Sequence, residues 1–178
     1  MSLRDERGFT VAEVLIAAVV VTLALVALAN VVPLASYGIQ EGNQLSTATF
    51  LADQKLEQIK ALPWAGTPAN DCLGVSLTSN AAPRVPVGAS CTLGATTVAA
   101  GNALTWEADE ATGAIAGFPA YSRDVRVTNC ATGGPCAGIT DAGMRLVTVR
   151  VTYTPLTAGT GTAATPKSVQ VQMIVSQR

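Results

Sequence analysis

The fold is decided by one apolar stretch near the start of the chain, FTVAEVLIAAVVVTLALVALANVV at residues 9–32. Of these 24 residues 20 are apolar, and the interruptions are Thr10, Glu13, Thr22 and Asn30. No charge follows Glu13 until Glu41, which leaves 27 uncharged residues in a row. As a helix rising about 1.5 Å per residue, the stretch would extend roughly 36 Å, more than the ~30 Å hydrocarbon core of a bilayer. It is therefore a candidate membrane span.

The amino-acid composition excludes several classes of function. The chain has 178 residues, with 11 Lys and Arg against 12 Asp and Glu, and it has no His. Without His, Ser-His-Asp and Cys-His catalysis and His-ligated metal sites are excluded. A net charge of −1, without a basic patch interleaved with aromatic residues, gives no attraction to nucleic acid. We expect a non-catalytic protein with no cofactor, no metal and no nucleic-acid partner.

Composition alone allows two interpretations of the apolar stretch. It could be a plain membrane anchor, or a secretory signal peptide with a basic start at Arg4 and Arg7 and a cleavage site at Ala27-Leu28-Ala29. Neither interpretation explains Glu13, because a charge near the bilayer interior costs about 2.5–3.5 kcal/mol on insertion scales. An acid at this place indicates a function.

The residues around that acid form a recognisable motif. Residues 7–16 read RGFTVAEVLI, with a charged leader ending in Gly8, then Phe-Thr, two residues, Glu and an apolar helix. This string resembles the class III signal of type IV pilins and type II secretion pseudopilins. The resemblance implies that a prepilin peptidase removes a leader of residues 1–8 by cutting after Gly8 and methylates the new amine of Phe9. The span then stays on the mature protein.

The resemblance also gives Glu13 a role in assembly. Glu13 lies four residues after Phe9, one helical turn away. In a filament its carboxylate would pair with the amine of its own or an adjacent subunit, and burial would penalise a Glu left unpaired. The alternative is that Glu13 only reaches toward the cytoplasmic headgroups.

Charges on either side of the span predict its orientation. Arg4 and Arg7 precede the span, and Glu41 is the first charge after it. The positive-inside rule then places the N-terminus in the cytoplasm. We expect a single-pass protein of the cytoplasmic (inner) membrane with an exported C-terminal part, which later joins a filament in the periplasm or at the cell surface.

Helical periodicity continues beyond the span. One apolar stripe recurs at intervals of three or four and consists of Leu45, Ala48, Ala52, Leu56, Ile59 and Leu62. Pro63 ends the pattern, which predicts one helix over residues 9–62, with a transmembrane part at 9–32 and an amphipathic part at 33–63. Three helix breakers predict a bend or a locally melted stretch in its middle, namely Pro33, Gly38 and Gly42. Residues 51–64, LADQKLEQIKALPW, resemble the corresponding region of PilV-type minor pilins.

The remainder, residues 64–178, is predicted to be a β-rich globular domain. Residues 67–118 are irregular, so we expect loops and short strands there. Three later segments alternate β-branched and polar residues, around residues 124–127, 147–153 and 169–175, which predicts at least three antiparallel strands. Their valine face should cover the helical stripe. The fold class is thus α+β, and the resemblance implies the ladle shape of pilins.

Four cysteines lie in the part expected to be exported, where an even number favours disulfides. Four cysteines allow three pairings. We favour Cys72–Cys91 and Cys130–Cys136 because each pair encloses a short loop. Zinc is disfavoured because no C-x₂₋₄-C pair exists. The acidic cluster Glu107, Asp109 and Glu110 lacks the spacing of a calcium loop and is better interpreted as a solvated turn.

The resemblance implies a minor pilin or pseudopilin, a structural subunit that joins the priming or tip complex of a type IV pilus. Its partners would be prepilin peptidase, other pilins and minor pilins, and a tip adhesin. A minor pseudopilin of a type II secretion or DNA-uptake pseudopilus is the alternative within the family. Two other classes stay open: a permanently anchored periplasmic binding domain, and a secreted domain released after Ala29.

Overall fold

A computed structural model of the chain describes residues 9–65, 70–84, 90–93, 96–99, 109–132, 136–155 and 165–177. The elements in these residues are, in chain order, α1 (Val11–Lys60), β1 (Trp64–Ala65), β2 (Asn70–Asp71), β3 (Val75–Ser76), β4 (Pro83–Arg84), β5 (Ser90–Leu93), β6 (Thr96–Ala99), β7 (Tyr121–Asn129), a 3-10 turn (Cys130–Thr132), β8 (Met144–Tyr153) and β9 (Lys167–Ser176). The predicted leader with Gly8, the side chain of Pro33, Glu107 and most of the loop between β8 and β9 lie outside the described residues.

The long N-terminal helix is continuous. Helical backbone runs from Val11 to Lys60, so the chain is not melted at Pro33, Gly38 and Gly42, and the bend predicted there as the other outcome stays a prediction. A proline removes one backbone hydrogen bond and a glycine removes none, so these residues need not interrupt the remaining hydrogen bonds of the helix. The helix also ends two residues before the predicted Leu62, because its last turn tightens: the Leu62 N–H bonds to the Ile59 carbonyl at 3.0 Å.

The chain divides into two compact units, Met1–Glu41 and Gly42–Arg178, with the boundary inside α1. In the first unit the described apolar side chains of α1, from Val11 to Val31 and from Ala35 to Ile39, are exposed. Among the described residues α1 is the one helix long and apolar enough to cross a membrane, with a window of mean hydropathy 2.8 that has no buried residue. The second half of α1 belongs to the globular unit.

The main sheet of the second unit has three antiparallel strands in the order β7-β8-β9. The three alternating segments seen in the sequence are these strands, so that prediction is confirmed. Their register aligns Val125 with Val149 and Val149 with Val171, which forms a row of valines across one face. Because side chains alternate between the two faces of a strand, every second residue points toward the core.

The core of the second unit lies between this valine face and α1. Leu51 and Ile59 of the helix are buried in one cluster with valines of the sheet. The predicted stripe is right from Ala48 to Leu62, but Leu45 is wrong because it is 50% exposed. Lys55 is not part of the predicted apolar stripe, yet it is only 4% exposed. The helix therefore turns a broader side toward the sheet than the stripe predicts.

Between α1 and the sheet the chain forms three short antiparallel pairs, β1 with β2, β3 with β4 and β5 with β6. This agrees with the short strands expected for residues 67–118. The β3 strand lies beside β7, where the Ser76 hydroxyl accepts a hydrogen bond from the Val127 N–H at 3.0 Å. The pair of β3 and β4 thus covers part of one edge of the main sheet.

Candidate functional site

The predicted assembly acid, Glu13, takes part in the N-terminal cap of α1. The Glu13 N–H donates to the Thr10 hydroxyl at 3.3 Å, and the Thr10 N–H donates to Glu13 Oε2 at 3.2 Å. The Thr10 hydroxyl also donates to Glu13 Oε2 at 3.3 Å. This reciprocal arrangement is a capping box, which satisfies backbone donors that a helix start would otherwise leave unpaired. Thr10 and Glu13 are thus fixed relative to each other by their spacing of three residues.

The cap uses one oxygen of the carboxylate. Within the described part of the chain, the hydrogen bonds of the Glu13 carboxylate all go to Oε2. Next to it, Phe9 is 85% exposed, and the apolar side chains that follow on the helix are exposed as well. An acid is thus held at the start of an apolar helix with exposed side chains, and among the described residues its Oε1 accepts no hydrogen bond.

A second group of charges fastens α1 to the sheet in the globular unit. Arg123 on β7 is 5% exposed and binds Glu110 through two parallel bonds, Nε to Oε2 at 2.6 Å and Nη2 to Oε1 at 2.9 Å. Its Nη1 donates to the backbone carbonyl of Leu51 in α1 at 2.9 Å. The planar guanidinium suits this task, because it can bind a carboxylate in a bidentate manner and still offer a further donor.

Lys55 belongs to the same group. Its Nζ lies 3.9 Å from Glu110 Oε2, so the carboxylate of Glu110 faces two cations, Lys55 and Arg123. The backbones of Glu110 and Arg123 also pair, with both N–H to carbonyl distances at 2.8 Å. Buried charges need such partners because taking them out of water is costly. The cluster therefore ties helix, sheet and the loop at Glu110 together.

A third group lies at the other end of β8, around Arg145. Arg145 binds the Asp71 carboxylate with Nη1 to Oδ1 at 2.7 Å, and its Cζ lies 4.2 Å from the centre of the Trp64 ring. Asp71 Oδ1 also accepts the N–H groups of Leu73 and Gly74, at 3.0 and 2.8 Å. Arg145 Nε is buried without a hydrogen-bond partner in the described structure. The stacked guanidinium holds the turn after α1 against the sheet.

The outer face of the sheet carries exposed ion pairs. Arg126 Nη1 donates to Asp109 Oδ1 at 2.6 Å, and Arg150 Nε donates to Asp124 Oδ2 at 2.9 Å. The hydrogen bond that Arg126 donates to the Asp109 carboxylate raises the pKa of Arg126. Of the acidic cluster considered for calcium, Asp109 and Glu110 each bind an arginine. The described residues contain no group of three or more His, Cys, Asp or Glu side chains that could hold a metal ion.

The four cysteines stand in two pairs at disulfide-bonding distance, and these are the pairs that the loop lengths favoured. Cys72 faces Cys91 across 19 residues, and Cys130 faces Cys136 across 6 residues, each with Cα atoms 5.5 Å apart. Cys72 and Cys91 belong to the main core. Cys130 and Cys136 form a small separate cluster with Leu146. The two pairs therefore brace different parts of the globular unit.

Sequence reasoning missed both buried arginines, although the sequence contains a signal for them. Arg123 lies two and four residues before Val125 and Val127 on β7, and Arg145 lies two residues before Val147 on β8, so each arginine shares a face of its strand with buried valines. A charge in the core-facing row of a strand must find a partner. The partners themselves, Glu110 and Asp71, lie far away in the sequence and carry no such signal.

Comparisons of the chain with protein-family models, with curated proteins and with solved structures found no match.

Proposed function

We propose that this chain is a minor pilin or pseudopilin, a structural subunit of the pilin type that assembles through its N-terminal helix. In this proposal prepilin peptidase cuts between Gly8 and Phe9 and methylates the Phe9 amine. The subunit waits in the cytoplasmic membrane with its N-terminus inside, and then enters the priming or tip complex of a type IV pilus. The pseudopilus of a type II secretion or DNA-uptake system is the alternative setting.

One observation carries the proposal: an acid is held at the first turn of a helix whose apolar side chains are uncovered. An apolar surface of this extent needs a cover, which a bilayer supplies before assembly and neighbouring apolar helices supply afterwards. Both covers have a low dielectric constant. In such surroundings an unpaired carboxylate is strongly disfavoured, and it attracts a protonated amine strongly.

The cap around Glu13 supports a specific sequence of events. Hydrogen bonds from Thr10 to Oε2 reduce the cost of carrying the carboxylate at the membrane. Cleavage would then create an amine on Phe9, close to the same carboxylate, and Oε1 would accept it from this subunit or an adjacent one. When the subunit passes from the membrane into the filament, Glu13 would thus change its partner, and the helix cap would stay in place.

The globular unit fits the same proposal. The second half of α1 packs on an antiparallel sheet, as a pilin requires, and the buried arginine Arg123 secures that contact. Its cysteine pairs suit a domain on the oxidising side of the membrane.

N-terminal sequencing and intact mass measurement of the protein purified from its native membrane test the proposal. We expect a chain that begins at methylated Phe9. A chain that begins at Met1 or Ser2 would contradict it and support a permanent membrane anchor, and a chain that begins at Asn30 would support a secreted domain.

A further inference from the structure

The two edges of the main sheet differ in how they are covered. Along β7, backbone N–H and C=O groups that point away from β8 have hydrogen-bond partners. Arg123 exchanges both backbone hydrogen bonds with Glu110, and the Val127 N–H donates to the Ser76 hydroxyl. The opposite edge is β9, the last strand in the order β7-β8-β9. Within the described residues, no strand or loop hydrogen-bonds to its outer side.

The register shows which groups point outward from β9. The Gln177 N–H bonds to the Gly143 carbonyl at 2.7 Å, one pair beyond Met144 and Ser176. Because N–H and C=O of one residue point to the same side in an antiparallel strand, alternate residues from Gln177 backward face β8. The outward residues are Ser168, Gln170, Gln172, Ile174 and Ser176. Their N–H and C=O groups form an open row along a strand of ten residues.

Beyond Pro166 and Lys167 at its start, this edge lacks the features that normally keep an edge strand from pairing. Proteins guard such edges with charges, prolines or bulges. Residues 168–177 contain no charge and no proline, and β9 pairs with β8 without a bulge. The core-facing side chains of β9, among them Val171 and Met173, remain only half-buried, because they have a neighbouring strand on one side only.

We propose that β9 pairs with β9 of a second copy of this chain, antiparallel and about a two-fold axis at Gln172. Each outward residue then meets an acceptable partner: Gln172 meets itself, Gln170 meets Ile174, and Ser168 meets Ser176. On the core side Val171 meets Met173 and Val169 meets Val175, so the half-buried apolar row of one copy continues into that of the other. No two like charges face each other, since Lys167 lies opposite Gln177.

The strand favours this register over the one centred on Val171. An antiparallel pair that forms through the outward N–H and C=O groups must place outward residues opposite outward residues. The possible registers therefore differ by steps of two residues. Centring the pair on Val171 would place Pro166 opposite Ser176, and proline has no N–H to donate. Centring it on Gln172 uses the strand from Lys167 to Gln177 and leaves Pro166 outside. The inference concerns the globular unit and does not depend on cleavage at Gly8.

Cross-linking of single cysteine variants tests the register. The four native cysteines are in the two pairs, so a short bifunctional maleimide reacts with an introduced thiol only. In the proposed dimer the two copies of Gln172 have Cα atoms about 5.5 Å apart, whereas the two copies of Gln170 are about 13 Å apart along the strands. With the full chain in detergent micelles, Q172C should cross-link to a dimer and Q170C should stay monomeric. Equal cross-linking of both variants, or none of Q172C, would overturn the proposal.

A proline at the centre of the pair tests the interaction without a thiol. The Gln172 N–H points outward, so the one printed hydrogen bond to β8 that Q172P removes is that of the Gln172 side chain to the Thr148 hydroxyl, while the matched variant V171P removes a backbone bond to Val149. We expect Q172P to keep the fold by intrinsic fluorescence and to lose the dimer in analytical ultracentrifugation. If Q172P unfolds, Q172K replaces it, because two-fold pairing places the two lysines opposite each other while Q170K faces Ile174. A folded variant of Gln172 that dimerises like the wild type would show that another surface, such as the apolar helix, holds the copies together.

Discussion

Arg123 and Glu110 form a bidentate ion pair at the point where helix, sheet and loop meet, with Nε and Nη2 of the arginine 2.6 and 2.9 Å from the two carboxylate oxygens. Because the same guanidinium also donates to the Leu51 carbonyl, one side chain of β7 links two distant parts of the chain. The globular unit should therefore depend on Arg123 far more than on the exposed arginines of the same sheet.

Replacing Arg123 with methionine should lower the free energy of unfolding by about 3 kcal/mol, the low end for a broken buried pair because Glu110 keeps 27% of its side chain exposed. Denaturant unfolding followed by intrinsic fluorescence measures this. The control is R150M, which breaks a pair whose arginine is 50% exposed and should cost under about 1 kcal/mol. Similar losses in the two variants would contradict the role given to Arg123.

Lysine should be a poor substitute for Arg145. Lysine keeps the charge, but it cannot bind Asp71 with two parallel bonds or stack its head on the ring of Trp64. We expect R145K to lose about 1–2 kcal/mol of unfolding free energy and to change the fluorescence of the chain, because Trp64 loses the guanidinium 4.2 Å away. R150K is the matched variant at an exposed site. An R145K protein as stable as the wild type would show that charge alone suffices there.

The two roles of Glu13 can be separated by two substitutions. T10V removes the hydroxyl of the capping box and should weaken the first turn by about 1 kcal/mol, whereas E13Q keeps an oxygen that accepts the Thr10 N–H. Amide hydrogen exchange at Val14, whose N–H bonds to the Thr10 carbonyl, reports the cap. We expect faster exchange in T10V and nearly unchanged exchange in E13Q.

Assembly should respond in the opposite way, because it depends on the charge of Glu13. Under the proposed function, E13Q should be missing from filaments sheared off the cells, while T10V should still be recovered in them. If E13Q enters filaments as well as the wild type does, the pairing of Glu13 with an amine is wrong even though the chain could still be a pilin.

The two cysteine pairs should contribute unequally to stability. Loop-closure entropy favours the pair that spans 19 residues over the pair that spans 6 by on the order of 1 kcal/mol. Cys72 and Cys91 also lie in the main core, so C72S/C91S should be less stable than C130S/C136S. Mass spectrometry of peptides under non-reducing conditions comes first, and a peptide that joins Cys72 to Cys130 would contradict the pairing.

The sheet was predictable from the sequence because its pattern is local. Alternation of valines with polar residues follows directly from the pleat, and each strand carries enough of it to be recognised. The helix was predictable in extent, but its buried side was not fully so. Leu45 continues the apolar period, yet it is 50% exposed, whereas the neighbouring Gln44 is buried, as are Leu51 and Lys55. Which residues of a helix are buried depends on which side of it the sheet covers.

The charged clusters were not predictable because they are formed by residues remote in the sequence. Lys55 resembles the other lysines and glutamates of its helix, and its burial makes sense only beside Glu110. The parity of Arg123 with the core-facing valines could have indicated a buried charge, but not its partner. At the start of the chain the opposite holds, since the cap from Thr10 to Glu13 spans three residues and can be recognised from the sequence alone.

The late position of the sheet in the chain has a consequence for biosynthesis. Leu51 and Ile59 are covered by β7 and β8, which begin at Tyr121 and Met144, and a ribosome adds about 5–20 residues per second. For several seconds the apolar side of the nascent helix has no strands to cover it. If nascent chains are not to stick to one another during that time, a holding chaperone or the surface of a membrane would have to cover this side of the helix.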